Sequence, residues 1–201
     1  MMASNPVNVN VLRECYKESL DTVLRYRGFP FYGTLLGLTR AGDLISGDDD
    51  VDFWINLEFR DYAISSMLAS GFTVDWELPW NRVSDYFIQF KKEFPDGVGK
   101  VDFYFFEMSQ TGKFCIERWN FLGRPKDEDC ELRVPEHLIF PLHIKNILDY
   151  EVLIPHNPHY ICEFLYGKGW REPQKKGVDY KIEITDGKPV LFFASGTKSN
   201  L

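Results

Sequence analysis
Four aspartates in five positions, Asp48, Asp49, Asp50 and Asp52, run straight into the apolar stretch Val51 to Leu57, and no other feature limits the fold so strongly. Val51, Phe53, Ile55 and Leu57 alternate with Asp50, Asp52, Trp54 and Asn56, the period-two pattern of a half-buried strand. Asp50 and Asp52 therefore share one face. Carboxylates crowded this closely repel one another unless a cation offsets them. Oxygen ligands select Mg²⁺, Mn²⁺ or Ca²⁺ over thiophilic metals, and two aspartates at i and i+2 suit Mg²⁺ shared between protein and substrate phosphates. The competing reading is a solvated acidic loop.

Upstream, Leu12, Cys15, Tyr16, Leu20, Val23 and Leu24 recur at helical spacing between Asn8 and Gly28, with Gly28 expected as a left-handed cap. Pro30 forbids continuation of that helix, and Phe29 to Tyr32 form an extended run that arrives at Gly33-Thr34. Backbone N–H groups and the Thr34 hydroxyl are placed to cradle a phosphate there, at the start of a short helical segment. Arg40, between this turn and the acidic run, is a candidate phosphate clamp, with an ordinary surface arginine as the alternative.

Downstream, Glu58 to Ser70 reads as a helix with Tyr62, Ile64, Met67 and Leu68 on its apolar face and Gly71 as its stop. Asp85 to Phe90 and Lys100 to Phe106 flank the turn-forming Pro95-Asp96-Gly97, which predicts an antiparallel hairpin carrying Asp102 in its second arm. Asn120 to Asp129 reads as a surface loop. Asn157 can cap a helix with Pro158 in its first position, Tyr160, Ile161, Phe164 and Leu165 on its apolar face, and Gly167 closing it. Pro189 to Phe193 is the one strand expected in the tail.

With 44% hydrophobic and 16% aromatic residues, the 201-residue chain can bury a sizeable core in one domain. Its net charge of −7 leaves no basic face for a DNA or RNA polymer. Cys15, Cys115, Cys130 and Cys162 are widely spaced and read as free thiols. No apolar run reaches membrane-spanning length and the first ten residues lack a secretion signal's apolar core. The default expectation is a cytoplasmic protein, or one in the secretory lumen if a targeting segment has been removed. Three weaker signals remain. His156-x-x-His159 lacks the further ligands of a zinc site. Trp76, Trp80, Tyr104 and Trp119 are either core or an aromatic cage for a quaternary ammonium group. Lys168, Arg171, Lys175 and Lys176 form a basic patch or a solvated loop.

Gly33-Thr34-Leu35-Leu36-Gly37, Arg40, Gly42, Ile45 and Asp48-Asp49-Asp50-Val51-Asp52 resemble the signature of the LicD/fukutin-related family. Tyr166-Gly167-Lys168-Gly169-Trp170 with Pro173 resembles that family's C-terminal pattern, so the likeness spans roughly residues 10 to 180. The resemblance implies an α+β fold of nucleotidyltransferase type, a mixed sheet with flanking helices. It also implies a divalent-metal-dependent phosphotransferase that moves a phosphocholine or phospho-alditol group from a CDP-activated donor to a sugar or glycan hydroxyl. By the same likeness, Gly33 and Thr34 resemble the phosphate-binding turn and Asp50 and Asp52 the paired metal aspartates, while Asp48 matches a further acidic position. The superfamily places a third carboxylate on a neighbouring strand. Asp102, within Val101-Asp102-Phe103, is the candidate, with Asp85 and Glu107 as competitors. Relatives have Pro-Trp where this chain has Ser46-Gly47. The rival functions are a nucleotidyltransferase that attaches NMP to its acceptor and a non-catalytic nucleotide- or glycan-binding module.

Overall fold
The computed structural model describes residues 7–75, 86–118, 131–174, 180–193 and 198–200. In chain order the elements are α1 (Val9–Arg25), β1 (Phe29–Pro30), α2 (Tyr32–Ala41), β2 (Val51–Asn56), a 3-10 turn (Leu57–Phe59), α3 (Arg60–Ala69), β3 (Thr73–Val74), β4 (Phe87–Phe94) and β5 (Gly97–Met108). There follow β6 (Phe114–Glu117), β7 (Leu132–Pro135), α4 (Glu136–Ile139), β8 (His143–Ile147), β9 (Tyr150–Ile154), α5 (Pro158–Tyr166), β10 (Tyr180–Thr185), β11 (Lys188–Phe193) and β12 (Lys198–Asn200). The fold is α+β, as the sequence implies. Its main sheet runs β1-β2-β5-β4-β3, with β6 joined to the far end of β5 and β7 to β6. β2 and β5 are parallel and the other pairings in this sheet are antiparallel, so the sheet is mixed.

The expected hairpin forms and is longer than predicted. Its turn, Pro95-Asp96, opposes Phe94 to Gly97 and so fixes the whole β4–β5 register. The strand read as half-buried is buried on both faces, Val51 through Ile55, because helices cover both sides of the sheet. Val51, Phe53, Ile55, Val101, Phe103 and Phe105 pack on one side against Leu12, Cys15, Tyr16 and Val23 of α1 and Ala63 and Met67 of α3. Trp54, Tyr104 and Phe106 pack on the other side with Phe29, Phe31, Leu35 and Leu36 and, from α5, Ile161 and Leu165. Leu57 leaves the strand for the 3-10 turn, where Asn56 accepts a hydrogen bond from the Glu58 N–H.

Several local expectations are corrected. α1 ends at Tyr26 and the left-handed residue is Arg27, at φ 54°, so Gly28 is not the cap. Gly28 instead lets the chain pass close to β2, where a Cβ would sit 2.8 Å from Ile55 Cγ1. Phe29 to Tyr32 is extended only over Phe29–Pro30, since Tyr32 already begins α2. On α3, Tyr62 and Leu68 are exposed while Ala63 and Met67 make the contacts, and on α5 Tyr160 is exposed and Cys162 is buried in its stead. Asn157 precedes Pro158 as expected, yet its side chain makes no capping hydrogen bond. The tail carries β10 and β12 beside β11, one strand having been expected there. Its β10–β11 turn is tied to the main sheet by the Arg133 N–H donating to the Gly187 carbonyl, 3.1 Å.

Cys15, Cys115 and Cys162 are free and buried. Cys130, the Asn120–Asp129 loop, Asp85, Trp76, Trp80, Trp119, Lys175 and Lys176 lie outside the described residues. No helix among the described residues is long and apolar enough to cross a membrane.

Candidate active site
The parallel pairing of β2 with β5 sets Asp52 opposite Asp102 as direct register partners. Period-two alternation then points both toward the face covered by α2, together with Trp54 and Tyr104. Asp50, just ahead of β2, closes the group, and Asp50, Asp52 and Asp102 each offer a carboxylate oxygen within 4.8 Å of the others. Asp48, Asp49 and Asp50 satisfy the same criterion, so two clusters share Asp50. The outer cluster is half-buried, whereas Asp52 and Asp102 are 6% and 3% exposed.

The Asp102 carboxylate is held by the Gln89 amide donating to Oδ1 at 2.7 Å and the Tyr104 hydroxyl donating to Oδ2 at 3.4 Å. Burial, and then the charge of Asp50, push the Asp102 carboxyl well above the usual carboxylate range, with the Gln89 hydrogen bond pulling the other way. Lys100 donates to Gln89 at 3.2 Å and pairs with Asp75, which also pairs with Lys91, so the support continues to the sheet's far edge. Gln89 was missed in the sequence. The signal was present, because a two-residue turn at Pro95-Asp96 dictates that Gln89 faces Asp102. Of the competitors for the third carboxylate, Glu107 pairs with Arg118 instead.

Gly33 and Thr34 lie in the first turn of α2, against the aspartates. A Cβ on Gly33 would stand 2.7 Å from Asp48 Oδ2 and 3.2 Å from Asp52 Oδ2, which is why this position carries no side chain. The Asp52 backbone N–H donates to Thr34 Oγ1 at 2.7 Å, and the Thr34 N–H reaches Asp52 Oδ2 at 3.4 Å. Thr34 therefore braces Asp52 on both its backbone and its side chain. Arg40 is placed elsewhere: six residues along α2 from Thr34, about 9 Å at ~1.5 Å rise per residue, it lines a small pocket with Leu36, Tyr166 and Trp170. Gly47, in the Ser46-Gly47 departure, takes a left-handed φ of 88° with open space around it.

Beside the aspartates lies a buried carboxylate that sequence reasoning did not find. Glu117, 1% exposed, accepts from the Tyr32 hydroxyl at 2.8 Å and from Trp54 Nε1 at 2.5 Å. Burial raises its pKa to about 8. Tyr32 in turn stacks edge-on against Tyr104, 4.8 Å between ring centroids. Tyr104 is thus part of this packing rather than an open cage. His156 contacts His143 ring to ring, Nδ1 to Nε2 2.9 Å, while His159 lies against Trp170, so the two predicted histidines do not converge.

A divalent cation fits this donor set. Three carboxylates meet within one ion's reach, two of them are shielded from water, and they supply oxygen atoms alone. The described fold is similar to the crystal structure of the lincosamide antibiotic adenylyltransferase LnuA with lincomycin bound, at 14% identity and a TM-score of 0.48 over 75% of this chain and 82% of that one. No curated protein sequence matches the chain. The family model for the LicD/FKTN/FKRP nucleotidyltransferase domain matches residues 26–157, a stretch holding Gly33, Thr34, Arg40, Asp48, Asp50, Asp52 and Asp102. The chain therefore belongs to the LicD/FKTN/FKRP family and is a transferase of nucleotidyltransferase fold.

Proposed function
We propose that this chain is a divalent-metal-dependent phosphotransferase that moves a phosphocholine- or phospho-alditol-type group from a CDP-activated donor to a sugar or glycan hydroxyl, releasing CMP. The observation that carries the reading is the Asp52–Asp102 register across two parallel strands, completed by Asp50. Asp50, Asp52 and Asp102 would hold Mg²⁺ or Mn²⁺, which when bound offsets charge on the phosphoryl oxygens and orients the diphosphate.

The remaining chemistry is assigned to the chain's own side chains. Thr34 and Gln89 fix the orientation of Asp52 and Asp102, so the carboxylates meet the substrate without reorganising. Gly33 lets the Asp48 and Asp52 carboxylates lie against the first turn of α2. The acceptor oxygen forms a bond to phosphorus as the bond to the CMP oxygen breaks, and the hydroxyl proton passes to a carboxylate, Asp102 being the candidate. Asp48 and Asp49 extend the negative rim on the solvent side.

The family's own description supports a second reading, transfer of the nucleotidyl group itself. Incubation with Mn²⁺ and CDP-choline, CDP-glycerol or CDP-ribitol separates the two. Free CMP supports the proposal. A nucleotide-labelled acceptor with pyrophosphate released from a nucleoside triphosphate replaces it, and divalent-dependent binding without turnover across all donors and acceptors leaves a binding module.

A further inference from the structure
The pocket at the far end of α2 is lined by Arg40 and by Trp170, whose indole N–H is a buried donor without a partner among the described residues. Trp170 as a whole is 3% exposed. A buried donor left unpaired is costly, and such orphans call for an acceptor that arrives from outside. Arg40 lines the same pocket, and among the described residues its guanidinium forms no ion pair. The pocket is small and open to solvent at its mouth, where a compact anionic group can approach. Glu172, exposed at the rim, works against an anion, and Arg171, whose guanidinium lies 4.3 Å over the Trp170 ring, offsets it.

We infer that Arg40 and the Trp170 indole N–H form an oxyanion subsite, separate from the aspartate cluster, that takes a phosphate or carboxylate group of a substrate. Arg40 lies seven residues along α2 from Gly33, roughly 10 Å at ~1.5 Å rise per residue. With its backbone that far along the helix, Arg40 is assigned to a part of the substrates other than the phosphate beside Gly33. That the anion is carried by a substrate rests on the reading in the preceding section; the binding itself does not.

The indole N–H supplies its own reporter. In ¹⁵N-labelled protein without divalent ions, the indole resonance lost in Trp170→Phe identifies Trp170. Inorganic phosphate and acetate are titrated separately, with sodium chloride as the ionic-strength control. The expected result is a saturable downfield shift of the Trp170 resonance with one oxyanion and not with chloride, phosphate preference marking a phosphoryl group and acetate preference a carboxylate. Arg40→Gln should weaken that binding at least tenfold while the other indole resonances keep their dispersion. An unmoved Trp170 resonance, an equal shift with chloride, or unchanged affinity in Arg40→Gln would overturn the subsite. CMP release that persists with a silent Trp170 resonance removes the subsite alone, and a responsive Trp170 without CMP release removes the phosphotransferase reading alone.

Discussion

Strands β2, β4 and β5 present two faces built from alternate residues of the same segments, and the faces differ in kind. Toward α1 and α3 point Phe53, Ile88, Phe90, Phe103 and Phe105, all buried and all apolar. Toward α2 point Asp52, Gln89 and Asp102, followed by Trp54, Tyr104 and Phe106, with Glu117 paired opposite Phe106 on β6. The first face is fixed by shape, as where Gly99 admits the Cys15 side chain of α1. The second is fixed by hydrogen bonds that satisfy carboxylates removed from water. A buried polar layer of this sort is a poor route to stability, since desolvating a carboxylate costs more than its hydrogen bonds return. Its presence on one face alone is what sets that face apart as the candidate site.

The sharpest way to break the contrast is Asp50→Asn or Asp52→Asn. Each should cut CMP release on the order of 10³-fold or more with little change in melting temperature, and retained turnover would remove the metal assignment. On the opposite face, Phe103→Ala should do the reverse. Loss of a fully buried ring costs about 3–5 kcal/mol of stability, read as a lower urea midpoint, with turnover per folded molecule nearly intact. Gly33→Ala tests whether the polar face tolerates one added carbon. The new Cβ meets Asp48 Oδ2 at 2.7 Å, so activity should fall roughly 10- to 100-fold with a smaller effect on folding.

The last prediction concerns the pH dependence set by Glu117. Its folded pKa, about 8, lies above its ordinary value of 4.5, so between those values the folded state holds a proton that the unfolded state has released. Stability from this group therefore falls as pH rises from about 4.5 to about 8 and is level beyond. Urea midpoints of wild type and Glu117→Gln measured across that window should converge or diverge by this component, and parallel curves would show that Glu117 is ionised in the fold.

Much of the site was legible because its spacing is local. Asp50 and Asp52 at i and i+2, the Gly33-Thr34 turn, and Asp102 between two apolar residues of a hairpin arm each announce themselves within a few positions. Glu117 was not legible, because a glutamate ending a short strand looks like any exposed glutamate until Tyr32 and Trp54 close over it. Arg40 was harder to place. Six residues of α2 separate it from Thr34, and only the fold shows that it lines a pocket with Trp170.

Caps and helix faces were misread for a related reason. Gly28 has the residue type of a left-handed cap, yet it is needed for close packing against Ile55, a contact with a distant strand. Tyr62, Leu68 and Tyr160 are apolar enough to be core, and only the position of the neighbouring sheet decides that Ala63 and Cys162 are buried instead, while Met67 is buried as expected.

By itself the sequence determined the α+β class, the paired aspartates on one strand face, the hairpin and its carboxylate, and the family, since these depend on residue type and on periods of two or 3.6. Tertiary structure alone decided that β2 and β5 lie side by side in parallel, that Asp52 therefore faces Asp102, that Gln89 and Thr34 hold those carboxylates, and that Arg40 and Trp170 line one pocket. The physical reason is that strand neighbours and buried polar partners are chosen by packing between segments far apart in the chain, and local periodicity carries no record of that choice.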